Sequence, residues 1–101
     1  MNIWNEVRSI KKTLSGVASH NDIINLERNN TKFINPKILL TIQSLELEGN
    51  TQRIFCQAVN ISNNVYKIIA CATTTTDIDK IEDEFVSTKY GTVVWMAFES
   101  D

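Results

Sequence analysis

Apolar residues near the N-terminus fall at Ile3, Val7, Ile10, Leu14 and Val17, and spacings of four, three, four and three put them in one stripe on a helix over residues 2–15. Gly16 supplies a C-terminal stop. Glu6 lies early in this segment and Arg8, Lys11 and Lys12 lie late, the order that a helix dipole favours, while Trp4 beside the stripe extends the buried face. Residues 19–35 admit two readings. Ser19 with Asp22 fits the cap of a short helix, whereas Ile24 and Leu26 alternating with Asn25 and Glu27 fit a strand entering a hairpin. The short helix is the preferred reading, and Pro36 closes the region.

After Pro36 the pattern shortens to that of strands. The run ILLTIQSLELE, from Ile38 to Glu48, is followed by Gly49-Asn50 as a turn and by TQRIFCQAVN, which predicts a hairpin with Glu46 opposite Arg53 and Leu45 opposite Ile54. The apolar phase slips within the first strand: Ile38, Leu40 and Ile42 share one face, Leu45 and Leu47 the other. Either a bulge lies near Gln43-Ser44 or both sheet faces are partly covered. NISNN reads as a polar turn into a further antiparallel strand, VYKIIACATTTT. Thr73 to Thr76 suit a strand end, and Thr76 with Asp79 matches a capping box for a second helix over residues 77–89 that buries Ile78, Ile81 and Phe85 and stops at Tyr90-Gly91. Last comes TVVWMAF, whose two-sided hydrophobicity predicts an interior strand with Trp95 as a core anchor. The order α-(α or β)-β-β-β-α-β predicts a single α+β domain over residues 1–101, mainly an antiparallel sheet of about four strands with two main helices.

A chain of 101 residues that is 43% hydrophobic and 22% charged can bury a core as one domain. Net charge is −2 and the pI is 5.3, so the whole molecule does not attract a phosphate backbone and nucleic acid is not an expected partner. No segment has the length and apolarity of an export signal or a membrane span, which makes a cytoplasmic protein without membrane association the expectation. Cys56 and Cys71 lie in strand-like runs without CxxC spacing and read as buried, reduced thiols.

Candidate chemistry is sparse. The sole histidine, His20, falls in a polar connection and reads as a solvated side chain rather than a catalyst. Asp77, Asp79 and Asp83 lack the glycine and terminal glutamate of a calcium loop, and no phosphate-binding glycine motif occurs, so neither metal, cofactor nor enzymatic activity is expected. The α-β-β-β-α portion of the order resembles the double-stranded-RNA-binding domain. That family needs lysines at the start of its final helix, where this chain has Asp77, Asp79, Glu82, Asp83 and Glu84 against Lys80, and a further strand follows; the chain is not assigned to it.

Those acids, five in the eight residues from 77 to 84, are the one directional surface feature. They make an acidic helix face that complements a basic protein partner, a toxin or nuclease domain, and the expected role is that of an immunity or inhibitor protein. The contact residues expected are Thr75, Asp77, Asp79, Glu82 and Asp83. The alternatives are a subunit of a homo-oligomer and, third, an enzyme of unrecognised type.

Overall fold

The computed structural model describes residues 10–27 and 32–100. In chain order the strands are β1 (Ile10–Ser19), β2 (Ile23–Asn25), β3 (Lys37–Ser44), β4 (Arg53–Ser62), β5 (Val65–Thr73), β6 (Thr88–Tyr90) and β7 (Thr92–Ser100). The only helical element among the described residues is a single 3-10 turn, Ile78–Lys80. The fold is therefore antiparallel β, and the expected α+β class with two main helices is corrected. Two sheets form it. One runs β1-β7-β3; in the other β5 is central, flanked by β4 on one side and by the short β2 and β6 on the other. The central strands β7 and β5 are the two most continuously apolar segments; β5 carries core on both faces, whereas β7 contributes Val93, Trp95 and Ala97 to the core between the sheets.

The first predicted helix is replaced, as far as it is described, by β1, which pairs with β7 along its length. Its residues 2–9, with Trp4, lie outside the described residues. Spacing of four and three misled because Leu14, Gly16 and Ala18 also alternate. Leu14 and Ala18 join the core between the sheets, whereas Val17, which the helical stripe would bury, is 61% exposed. Gly16 is not a stop. It lies opposite Trp95 in the ladder, and a Cβ there would stand 3.0 Å from the indole, so the missing side chain is what lets the ring lie against β1.

For residues 23–25 the strand reading replaces the short helix, although the strand pairs with β5 rather than opening a hairpin of its own. Residues 28–31, where that hairpin would turn, lie outside the described residues. Ile24 and Leu26 are buried on the core side while Ile23 and Asn25 face out. Asn21 turns the chain there in the left-handed region, φ 70°.

The Gly49-Asn50 turn forms, with Thr51 N–H bonded to the Glu48 carbonyl at 3.1 Å. The hairpin around it does not. β3 pairs with β7, and β4 pairs with β5, putting Arg53 opposite Thr73 and Ile54 opposite Ala72. Each strand finds a better partner in the apolar centre of a different sheet, so residues 45–52 cross between sheets rather than closing a ladder. The phase slip in β3 resolves as a register shift between Ile42 and Ser44, the bulge that the pattern allowed. The NISNN turn and the antiparallel β4–β5 pairing are as the sequence implies, with Asn63-Asn64 at the turn and Asn64 at φ 59°. The interior strand at the C-terminus is β7, paired on both edges.

The main core lies between the sheets: Val93, Trp95 and Ala97 from β7 meet Ile68 and Ala70 from β5, with Ala18, Ile24, Leu26 and Phe33 around them. A smaller core lies on the opposite face of β5, where Phe55 and Cys71 are covered by Ile81 with Ile78. The cysteines thus belong to opposite faces of one sheet, Cys56 packing on the first core and Cys71 in the second, and both are free. Burial pushes both thiols above the ordinary range. An aromatic disulfide reagent should label half-buried Cys56 slowly and leave fully buried Cys71 untouched until the protein unfolds; equal rates for the two in native protein would contradict this placement.

Two of the connections between the sheets are tight corners. The chain passes from β1 to β2 through His20 and Asn21, and from β6 to β7 through Gly91. The corners are stitched together by His20 N–H to the Gly91 carbonyl (3.1 Å), Gly91 N–H to the Ala70 carbonyl (2.9 Å) and Asn21 N–H to the Ile68 carbonyl (2.8 Å).

A candidate interaction site at the acidic loop

The predicted second helix is the segment where side-chain chemistry overrides periodicity most clearly. Thr73 ends β5, and from there each step is bonded by a neighbouring hydroxyl or carboxylate. Thr75 N–H donates to Thr73 Oγ1 (3.3 Å), Asp77 N–H to Thr75 Oγ1 (3.1 Å) and Asp79 N–H to Asp77 Oδ1 (3.0 Å). Ser, Thr and Asp offer the backbone such alternatives to a helical ladder. The result is a succession of tight turns: Lys80 N–H to the Asp77 carbonyl, Asp83 N–H to the Lys80 carbonyl and Val86 N–H to the Asp83 carbonyl. The cap of the 3-10 turn is Asp77, not Thr76. Thr88 and Lys89, expected in the last turn of the helix, and Tyr90, expected at its stop, instead pair with Cys71–Thr73 as β6.

Both ends of this loop are tied. Thr74 and Ser87 exchange bonds, Thr74 N–H to the Ser87 carbonyl at 3.1 Å and Ser87 N–H to Thr74 Oγ1 at 3.0 Å, and Thr88 Oγ1 donates to the Ile81 carbonyl at 2.8 Å. Residues 74–87 are thus a compact loop with adjoining ends, of the kind called an Ω-loop. Ile81 pins its middle to the second core.

Between the loop and the outer face of the β4–β5 sheet is a cleft of about 450 Å³. Val59, Ile69, Ile78 and Ile81 supply its apolar lining, Asp79 and Glu82 stand on the loop side, and Lys67 lies on β5. Asn21 Nδ2 reaches Glu82 Oε1 at 3.4 Å, linking the loop to the β1–β2 corner.

The five expected contact residues divide accordingly. Asp79 and Glu82 come together at the cleft. Thr75 and Asp77 serve the loop's own turns through the bonds above. Asp83 is exposed but does not line the cleft. No helix face unites them. Phe85, expected in the core, is 92% exposed and sits between Glu84 and Val86 on the loop. Helical phase assigned it inward; once the segment breaks into turns that phase has no meaning. Of the remaining cleft residues Ile78 and Ile81 belong to the loop, whereas Asn21, Val59, Lys67 and Ile69 come from strands and a corner distant in sequence, and only the sheet pairing brings them here.

His20 is likewise not the solvated side chain expected. It is half-buried at the corner, its ring stacks on Tyr90 with centroids 4.7 Å apart, and Nδ1 accepts the Ala70 N–H at 3.0 Å. Among the described residues no three His, Cys, Asp or Glu side chains converge as a metal site would need, and no helix is long and apolar enough to cross a membrane. Comparison of the chain with protein-family models, with curated proteins and with solved structures found no significant match to any of them.

Proposed function

We propose that the protein is a binding module for a basic protein partner, with the acidic loop as its contact surface and neutralisation of a toxin, such as a nuclease, as its role. Phe85 carries this reading. An aromatic ring left 92% exposed on a loop whose ends are tied down contributes almost nothing to the fold. Aromatic side chains, Phe among them, are enriched at the cores of protein interfaces. Around it Asp79, Glu82, Asp83 and Glu84 are all exposed, so a cationic surface would be steered toward the ring and retained by its burial.

The test is a partner captured from cells that carry the protein and then used in stopped-flow association across a salt series. Asp79→Asn, Glu82→Gln and Asp83→Asn together should slow association and flatten its salt dependence. Phe85→Ala should instead speed dissociation, weakening binding by about thirtyfold for a hot-spot loss of about 2 kcal/mol. Both variants should unfold within about 0.5 kcal/mol of the parent. A partner that binds both variants as it binds the parent would end the proposal.

A second reading, a homo-oligomer, is favoured by the outer face of the β1-β7-β3 sheet. There Val17 (61% exposed) lies opposite Val94 (43%), and Leu39 (39%) lies opposite Met96, an apolar stripe across the sheet. Light scattering that returned a multiple of 11.5 kDa, unchanged by Phe85→Ala, would favour it.

A further inference from the structure

The imidazole of His20 occupies a position where its two nitrogens are constrained very differently. Nδ1 accepts a hydrogen bond from the backbone N–H of Ala70, 3.0 Å away, so in the neutral ring the proton resides on Nε2. Nε2 is buried and has no hydrogen-bond partner among the described residues. Charging the ring requires a proton on Nδ1, where it would face the Ala70 N–H, donor against donor. Protonation and the His20–Ala70 bond therefore exclude each other.

That bond is placed where the sheets join. Ala70 is 2% exposed in the middle of β5, its carbonyl accepts from Gly91 N–H, and Gly91 in turn accepts from His20 N–H. One side chain and three backbone segments close on one another there. We propose that His20 is a pH-sensitive latch: neutral, it holds the corner between the two sheets closed through Ala70; protonated, it releases Ala70 and opens the corner on the side of Glu82.

The surrounding groups agree on the direction. Burial disfavours the imidazolium most strongly and holds the ring below its ordinary value of 6.5, with Glu82 opposing this and Lys67 adding to it. Tyr90 presents its ring face from β6, and Asp22, on the same turn as His20, is engaged by Ser19 N–H at 2.7 Å. Because the folded protein binds this proton less readily than the unfolded chain, the contribution to stability is whole above pH 6.5 and is lost as pH falls from there through the lower folded value. Glu82 is the carboxylate that gains from an opened latch, and it is tied to the same corner through Asn21.

A single histidine makes the test clean. The ring of His20 is followed by NMR from pH 8 downward, and the exchange of the Ala70 amide is measured alongside that of Ala97 in β7 as an internal control. Expected are the Nε2–H tautomer at neutral pH, a ring midpoint below 6.5, and Ala70 protection that falls, relative to Ala97, by up to about tenfold per pH unit between 6.5 and that midpoint and levels off below it. In His20→Asn, whose amide oxygen can replace Nδ1 as acceptor without titrating, the Ala70-to-Ala97 ratio should stay constant over the same range. A ring midpoint at or above 6.5, an Nδ1–H tautomer, or an unchanged Ala70-to-Ala97 ratio in the parent protein would each overturn the latch, and these three readings need no variant to fold.

Discussion

Trp95→Ala should destabilise the protein by about 3–5 kcal/mol, the cost of deleting a large aromatic from a core that cannot collapse around the void. Trp95 is 5% exposed on the inward face of central β7, with Gly16 opposite it on β1 and Leu40 opposite it on β3, and Ala18, Ala70 and Ala97 share its core with larger residues such as Ile68 and Phe33. Gly16 and the alanines have no side-chain length with which to fill the space, so the void closes only in part. Domains of this size are stable by about 5–15 kcal/mol, so the variant should melt more than about 10 °C lower or fail to fold. Urea unfolding followed by circular dichroism measures the difference. A midpoint close to that of the parent would mean that the indole does not hold the two sheets together.

Gly91→Ala is expected to cost about 1–3 kcal/mol although it adds a single methyl group. A Cβ at Gly91 would stand 2.6 Å from the Ser44 carbonyl oxygen and 2.9 Å from Leu45 Cδ1. The side chain of Leu45 can move, but the Ser44 carbonyl belongs to the end of β3 and takes the backbone with it. The same residue donates to Ala70 and accepts from His20, so the displacement would reach both corners. Thermal unfolding should register the loss, and hydrogen exchange should localise it to Ala70 and His20 rather than to the middle of β7. Gly49→Ala is the control, since no atom lies within 4 Å of a Cβ there, and its stability should match the parent closely.

The acidic loop shows how much of the candidate site was legible in the residues. The clustering of Asp79, Glu82 and Asp83, and the neighbouring threonines, are visible in the chain, as is the excess of negative charge. Their arrangement is not. Ile78, Ile81 and Phe85 satisfy a helical period, but Thr75 and Asp77 bond the backbone locally, and β6 is recruited by the open edge of β5. Those two effects break the helix and turn Phe85 outward. The cleft itself needs Lys67 from β5 and Asn21 from the β1–β2 corner, a juxtaposition that no local pattern encodes.

What the sequence determined by itself are the features that depend on near neighbours. They include the existence of the strands at residues 37–44, 53–62, 65–73 and 92–100, though the pattern carries the first on to Glu48 and the third to Thr76, the turns at Gly49-Asn50 and Asn63-Asn64, and the interior position of β7; the phase slip in β3 is visible in the chain, but that it is a bulge is not. Each follows from alternation, turn chemistry or two-sided apolarity over a few residues. The tertiary structure decided the rest, because β pairing is a choice between distant partners. β1 could be read as a helix from its spacing until Trp95 claimed Gly16, and β3 could have paired with β4 had β7 not offered a more apolar edge. His20 is polar and unremarkable in the chain. Only the folding of two sheets around one corner places it against Ala70, where its protonation state and the closure of that corner become a single event.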